Sequence, residues 1–432
     1  MSQAHSLLDP NVSVAKKYDT VISGMGLSGL ASAWQAIKRG KTVLMVSNRP
    51  PDYLRVQRVY LKPENRDSLL AMLPDAQHLT SEDKKFVEQI KGNYTMGVKD
   101  INYTMGVKDI ERFIKRQLDR FPKQINYMYE SQFSQLDMHE GKVTIESLRG
   151  LPKVETNFDD VIAADGTNHH AVNIFNAGRA SELISYTGKT NLKRPHHLSA
   201  YIKLERKDGK DLVLPDKNLL VMNDSSTDLL SFLHFNKDSL QNKKNPKAIK
   251  CHFLSEIPKE LYDKMKNSEM DASAVALPHI ESSLKKLLDK EEVNNGEISI
   301  SIVKPSQKHG VQKDKLKLQC FETNLEEANK VAIGEHGRRF IAVGDVTTTP
   351  SYQVGHGAID ALIHAGWVGE IFDGKRTLDQ YTKDVKAHAN RMHRYGVDLF
   401  LFPLQSRTAS AEAMESIAEM QMLALQQKYN RQ

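Results

Sequence analysis

The 432-residue sequence predicts an α/β fold that an antiparallel sheet interrupts and a helical C-terminus closes. Three observations predict it. An apolar strand-type run, Tyr18–Ser23, leads into Gly24, Gly26 and Gly29, with a helix pattern and a second strand behind them. From Leu198 the texture changes to successive β-type segments separated by polar turns. A last strand, Arg339–Val343, ends on Gly344-Asp345 and leads into a second glycine-bearing helix start.

The first element sets the ligand class. Leu27–Arg39 reads as a helix rich in Ala and Leu, Gly40 ends it, and Thr42–Val46 is the second strand. This is the β-α-β context that the Gly-x-Gly-x-x-Gly spacing requires. Gly24 permits the tight turn, Gly26 lets the backbone approach a pyrophosphate, and Gly29 lets helix and strand pack closely. Leu27 and Ser28 lie in the first helical turn, whose N–H groups and dipole favour an anion. The pattern predicts a Rossmann-like dinucleotide site, against the plainer reading of a tight turn with no ligand. The ribose-binding acid expected about twenty residues on is missing. Ser47 stands there, followed by Asn48 and Arg49. Ser47 and Asn48 can hydrogen-bond a hydroxyl, and Arg49 is either a solvated loop charge or a phosphate contact.

Next comes a tandem repeat. NYTMGVKDI occupies 93–101 and again 102–110. Nine residues is shorter than solenoid periods, so a recent in-frame duplication or a sequence artefact is the simplest origin. The second copy runs into a helical pattern, ERFIKRQLDRF, with Asp109 as the expected N-cap. That copy is expected to be integrated and the first to form an extended loop.

Ile125–Tyr129, Phe133–Leu136, Lys142–Glu146 and Asp159–Ala164 read as strands, the last ending at Asp165-Gly166. SAYIKLE, NLLVMND, LLSFLHF, AIKCHFL, ISISIV and KLQCF follow as strands, with a helix at Ser282–Lys290. The expected division is 1–174 and 331–375 for the nucleotide domain, 175–330 for a substrate domain, and 376–432 for a C-terminal helical region.

The late motif identifies the dinucleotide. A carboxylate on Asp345, at the carboxyl end of a strand, points into the ligand crevice of an open α/β sheet and can accept hydrogen bonds from a polyol such as ribitol. Pro350–Val354 form a loop, and Gly355, His356, Gly357 and Ala358 open a helix. A positive helix end beside a flavin stabilises the anionic reduced ring at its N1–C2 carbonyl edge. The two glycine motifs together predict FAD on a glutathione-reductase-type Rossmann fold.

Composition bounds the rest. Hydrophobic residues at 40% and charged residues at 26% suit a soluble globular chain. No apolar run reaches eighteen residues, so no membrane span is expected, and the first residues do not read as a secretory signal. Only Cys251 and Cys320 occur, which excludes a disulfide framework and suits a reducing cytoplasm. The net charge of +6 is mild, its lysine clusters read as solvated faces, and nothing resembles a nucleic-acid module. His169-His170 and His196-His197 lack carboxylates at ligand spacing, so no metal site is expected.

The set GMGLSG, VIAADGTNH (Val161–His169) and FIAVGDVTTTPSYQVGHG (Phe340–Gly357) resembles the class A flavoprotein monooxygenases of the para-hydroxybenzoate hydroxylase type. Within them the loop is most similar to the MICAL-type branch, in the spacing of Pro350 and Tyr352 from Asp345. RPPDYLRVQRVYL (Arg49–Leu61) also resembles a MICAL segment, in which the positions of Arg55 and Gln57 run alongside the flavin. The resemblance implies that NAD(P)H reduces FAD and that oxygen activated at the reduced flavin enters an organic or protein side-chain substrate. It implies that Gly24, Gly26, Gly29, Asp165 and Gly166 serve the pyrophosphate, Gly344 and Asp345 the ribitol, and Pro350 and Gly355–Ala358 the ring edge. Tyr352 and Gln57 would be the catalytic-side residues, and the Leu198–Ser255 sheet the ceiling over the flavin. The family's middle motif continues to a Ser and an Arg for NADPH; here Thr167, Asn168, His169 and His170 follow instead. A separate flavin reductase, as in styrene-type monooxygenases, is the alternative donor. Two other classes stay open: a reductase or dehydrogenase without oxygen transfer, similar to geranylgeranyl reductases, and a non-catalytic flavoprotein.

Overall fold

A computed structural model of the chain describes residues 14–51, 58–61, 63–92, 103–190, 196–213, 219–224, 229–235, 247–267, 271–290, 297–304, 318–322, 325–349 and 357–405. The chain forms two compact units. One holds 1–51, 58–190 and 325–432; the other holds 52–57 and 191–324.

In chain order the first unit begins with β1 (Lys17–Ser23), α1 (Leu27–Ile37), β2 (Val43–Val46), β3 (Arg58–Leu61), α2 (Pro63–Leu70), α3 (Ser81–Gly92), β4 (Tyr103–Gly106) and α4 (Val107–Leu118). It continues with β5 (Ile125–Met128), β6 (Ser131–Asp137), β7 (Lys142–Ser147), β8 (Val154–Ala163), α5 (His170–Asn176) and β9 (Tyr186–Thr190). With two late strands, β17 (Ala332–Glu335) and β18 (Arg338–Ala342), the main sheet runs β17-β18-β8-β1-β2-β5, and β7 and β6 are added antiparallel beside β8. The five strands from β18 to β5 are mutually parallel. β2, between β1 and β5, is buried on both faces and reads as a continuous apolar run, VLMV, with all four residues buried. Their register sets Ser23 beside Val46 and Ala163, Val46 beside Met128, and Ala163 beside Ala342. All five carboxyl ends therefore reach one edge.

The second unit, described by itself, is a six-stranded antiparallel sheet with β10 (His196–Arg206), β11 (Leu219–Asp224), β12 (Leu229–Phe235), β13 (Ala248–Glu256), β14 (Ile298–Ile302) and β15 (Leu318–Glu322). β10 pairs with β13 along one side, and with β15 and then β14 along the other. The helices α6 (Lys259–Asn267) and α7 (Ala272–Lys290) belong to this unit, and Ile280, Leu284 and Leu287 of α7 join an apolar cluster with Leu198, Ala200 and Phe253. The helix expected at Ser282–Lys290 is the C-terminal half of α7. It starts at Ala272 because Asp271 caps it, accepting the Ser273 N–H at 2.9 Å.

The chain returns to the first unit with β16 (Leu325–Ala328), β17 (Ala332–Glu335), β18 (Arg338–Ala342), α8 (Gly357–Phe372) and α9 (Leu378–Gln405). β16 pairs with β9, which carries the first unit on past 174 to Thr190. The long helix α9 is tied to the sheet: Tyr381 is fully buried and its hydroxyl donates to the Ala342 carbonyl at 2.7 Å. Three positions before the carboxyl end of β8, Asp160 is buried and holds Arg339 of β18 through two hydrogen bonds of 2.5 and 2.9 Å, with Lys41 at 3.2 Å.

The second copy of the tandem repeat forms β4 and the start of α4, burying Met105, Val107 and Ile110. The first copy, 93–101, lies outside the described residues. The N-cap of α4 is Gly106, in an extended conformation, and Asp109 sits inside the first turn. This corrects the expectation of Asp109 as the cap.

Candidate functional site: the carboxyl edge of the parallel sheet

The edge is built by three turns that leave the parallel strands side by side. The first follows β1. Gly24 has φ +109°, and a Cβ there would lie 2.2 Å from the Ala164 carbonyl oxygen and 2.8 Å from the Asp165 nitrogen. A Cβ on Gly29 would lie 2.0 Å from the Gly24 carbonyl oxygen. Only glycines let the first turn, the first helix and the end of β8 come this close. Gly26 is the N-cap of α1, extended, with no side-chain cap and no acid in the first helical turn. The free N–H groups there are left for an anion.

The second turn follows β8. Asp165 accepts the Ala171 N–H on Oδ2 at 2.7 Å, while its buried Oδ1 has no hydrogen-bond partner of good geometry among the described residues. Burial pushes this carboxyl up to about 6, against the pull of its amide partners, His170 and the Ser23 hydroxyl. Gly166 has φ +75° and opens the short turn Gly166–Asn168. His169 then sits in the left-handed region at φ 49°, its Nε2 3.6 Å from Glu326 and its ring 3.8 Å from that of Tyr186. Burial lowers its basicity and Glu326 opposes this. His170 turns elsewhere, its Nε2 2.7 Å from the Phe133 carbonyl oxygen. Among the described residues no three His, Cys, Asp or Glu side chains gather in a metal-binding group.

The third turn, Gly344–Val346, follows β18 and packs against the second. Gly344 has φ +68°, and a Cβ on it would meet Ser28 Oγ at 2.0 Å. The Tyr186 hydroxyl donates to the Val346 carbonyl at 2.9 Å, and Asp345 is half-buried in the turn. Behind it stands α8, which opens at Gly357 and buries Ala358. Helices α1 and α8 pack together with their C-terminal ends aligned. Arg39 holds Asp373 at 2.7 and 2.8 Å, and a Cβ on Gly369 would meet Gln35 Oε1 at 2.6 Å. The two helices thus run parallel, and both N-termini face the carboxyl edge of the sheet.

The structure therefore brings Gly24, Gly26, Leu27, Ser28, Gly29, Asp165, Gly166, Gly344 and Asp345 to one edge, and Gly357 and Ala358 open the helix whose His364 touches that edge. Ser47 also ends there, one residue past β2, but its Oγ accepts the Arg49 N–H at 3.2 Å and shapes a local turn through Asn48. The Arg55, Gln57, Pro350, Tyr352, Gly355 and His356 assignments lie outside the described residues. Sequence reading missed His364, on the buried face of α8, whose Nδ1 accepts the Gly344 N–H at 3.2 Å. A polar residue on an otherwise apolar helix face was the only signal for it. Tyr186 was missed for want of any motif around it.

These residues fit FAD. The uncapped N-terminus of α1 beside a left-handed glycine suits a pyrophosphate, and the carboxylate after β18 suits a polyol. No protein-family model matches the sequence, and no curated protein does. Solved structures of the same fold do match. The tetracycline destructase Tet(51) is 13% identical, covering 95% of this chain and 97% of its own, with a TM-score of 0.57. Aklavinone-11 hydroxylase, in a ternary complex with FAD and aklavinone, is 12% identical over 94% of this chain and 71% of its own, with a TM-score of 0.59. The flavin-dependent brominase Bmp2 is 14% identical over 96% and 92%, with a TM-score of 0.57. At such identities the likeness is one of fold alone: the mixed α/β architecture that these proteins share. No helix among the described residues is long and apolar enough to cross a membrane.

Proposed function

We propose that this chain is an FAD-dependent monooxygenase that oxidises an organic or protein side-chain substrate. One observation carries the reading: three glycine-bearing turns converge on the carboxyl edge of five parallel strands, with two helix N-termini facing that edge. Gly24, Gly26, Ser28 and Gly29 would hold the pyrophosphate, with Asp165 and Gly166 at its side. Asp345 would accept the ribitol hydroxyls, and Gly357 and Ala358 would present the N-terminus of α8 to the ring. Bound FAD supplies electron transfer and oxygen activation; the chain binds it, orients it and shields it. The flavin-dependent neighbours support this choice of cofactor.

The MICAL-type branch is the finer reading, supported by the Pro350 and Tyr352 spacing and by Arg55 and Gln57. Tyr352 and Gln57 are the proposed catalytic residues, with Arg55, Pro350, Gly355 and His356 at the flavin. The substrate domain expected at 175–330 is proposed to centre on the second unit, which holds 191–324, and the two-cysteine composition supports a cytoplasmic setting. The electron donor is NAD(P)H or a partner flavin reductase. His169, packed between Tyr186 and Glu326, stands where the family motif has its NADPH-binding stretch, which favours the partner.

The test has two stages. FAD is titrated into the purified chain by fluorescence quenching; Gly26→Val and Asp345→Ala are expected to abolish retention of a yellow cofactor. The flavin is then reduced without oxygen by NADPH, NADH or an added reductase, and isotope-labelled dioxygen is admitted with candidate substrates. Label in a product supports the monooxygenase. Reoxidation that yields only peroxide supports a reductase, and failure of every reductant supports a non-catalytic flavoprotein. Full FAD occupancy in both variants would overturn the site.

A further inference from the structure

His364 is 3% exposed, and its Nδ1 accepts the Gly344 N–H. Its Nε2 is buried with no hydrogen-bond partner among the described residues. The ring stacks on Trp367 at 5.5 Å and meets the edges of Tyr381 and His388, both on α9, at 6.3 and 6.0 Å. Burial pushes this imidazole down to about 4; Asp360 opposes that and His388 adds to it. Asp360 is itself held by His388 at 2.7 Å. The side chain is therefore a neutral acceptor at its Nδ1, with its remaining N–H unmatched.

An ordinary core histidine satisfies both ring nitrogens or reaches solvent. A leucine or phenylalanine would fill this place without stranding an N–H. What the imidazole provides is an acceptor for one particular amide. Val343 N–H still bonds to Ala163 in the sheet, but Gly344 leaves the ladder in a left-handed turn. Its buried amide has no strand to receive it and must find a partner. On the other side, Ser28 closes against the Gly344 α-carbon. The turn that aims Asp345 is held between α1 and α8, and His364 is the polar half of that grip.

We propose that His364 is a positioning residue: by accepting the Gly344 amide it holds the Gly344–Val346 turn in the geometry that presents Asp345 to the ribitol of FAD. This rests on the FAD reading above.

The experiment uses the full chain, FAD titration by fluorescence quenching, and hydrogen–deuterium exchange of peptides spanning the Gly344 turn. His364→Phe keeps the ring and its stacking on Trp367 but removes the acceptor. His364→Asn places an amide oxygen where Nδ1 stands, and His364→Gln reaches the Nε2 position instead. The Phe and Gln variants are expected to weaken FAD binding by about tenfold and to speed exchange at the turn, while the Asn variant stays within about threefold of the unaltered chain. Unchanged FAD affinity in the Phe variant overturns the proposal. So does an Asn variant as weak as Phe, or a Gln variant as tight as Asn. If the unaltered chain takes up no FAD, the cofactor reading falls and this proposal falls with it. If that chain binds FAD and the Phe variant binds equally well, only this proposal falls.

Discussion

Ser28 and Gly344 meet so closely that a methyl group on Gly344 would lie 2.0 Å from Ser28 Oγ and 2.9 Å from Ser28 Cβ. One opens the first helix of the chain and the other ends the last strand of the sheet, so the early and late glycine motifs form a single packed joint. Gly344→Ala would face both this overpacking and a left-handed φ of +68°. Overpacking costs about 1–3 kcal/mol and the backbone conformation about 1 kcal/mol more. The expected loss is about 2–4 kcal/mol in equilibrium urea unfolding. In a Ser28→Ala background the same change should cost about 1 kcal/mol less, because the nearest clashing atom is gone while the backbone strain stays. Equal losses in both backgrounds would show that the Ser28 hydroxyl plays no part.

Asp160 lies at 1% exposure between Arg339 and Lys41, and its two bonds to Arg339 tie β8 to β18 just below the ligand edge. Asp160→Ala leaves two cations facing each other with no anion, and a loss of about 3 kcal/mol is expected. Arg339→Met should cost less, because Lys41 still neutralises Asp160 and the methionine keeps the packing over Phe372. Urea denaturation of the two single variants checks the order. A more harmful Arg339→Met would mean that the arginine's own contacts outweigh the ion pair.

Much of the ligand edge was legible in the sequence because its demands are local. A glycine at 24, 26 or 29 answers to its own turn, and the strand before it shows as a short apolar run. What escaped depends on partners far along the chain. His364 earns its place from one backbone amide twenty residues earlier in the chain, and no periodicity encodes that. β9 exists through pairing with β16, across the inserted unit. Asp109 has the composition of a cap, but the extended Gly106 takes that place and leaves the acid to favour the helix dipole from inside the first turn.

The tandem copies share one sequence, so any difference in their structural weight comes from context. In the second copy Ile110 is fully buried in α4, in the same core cluster as Phe113 and Ile114. Ile110→Ala should cost about 2–4 kcal/mol through lost burial and the cavity left behind. Thermal and urea unfolding measure it. A loss below about 1 kcal/mol would remove the case that the second copy is integrated in the fold.

Asp165 predicts a pH dependence of unusual sign. Its folded carboxyl titrates at about 6, above the 3.8 of a free aspartate. Between these values the folded state keeps a proton that the unfolded state has lost, so its contribution to stability falls as pH rises from about 4 to about 6 and is level above. A gap of about two pH units corresponds to about 3 kcal/mol at most. His364 slopes the other way. It titrates at about 4 when folded and 6.5 when free, so the stability it contributes is present above about 6.5 and is lost as pH falls towards 4. The two effects oppose each other in the unaltered chain, and a single pH curve hides both. Asp165→Asn keeps an oxygen for the Ala171 amide and removes the titration. In FAD-free protein the variant's gain in melting temperature should therefore be small near pH 4, grow to about pH 6, and stay constant to pH 8. With the falling limb removed, the variant's own curve should rise with pH across the window that His364 governs. A gain that is flat from pH 4 to 8 would mean that Asp165 does not hold a proton in the folded state.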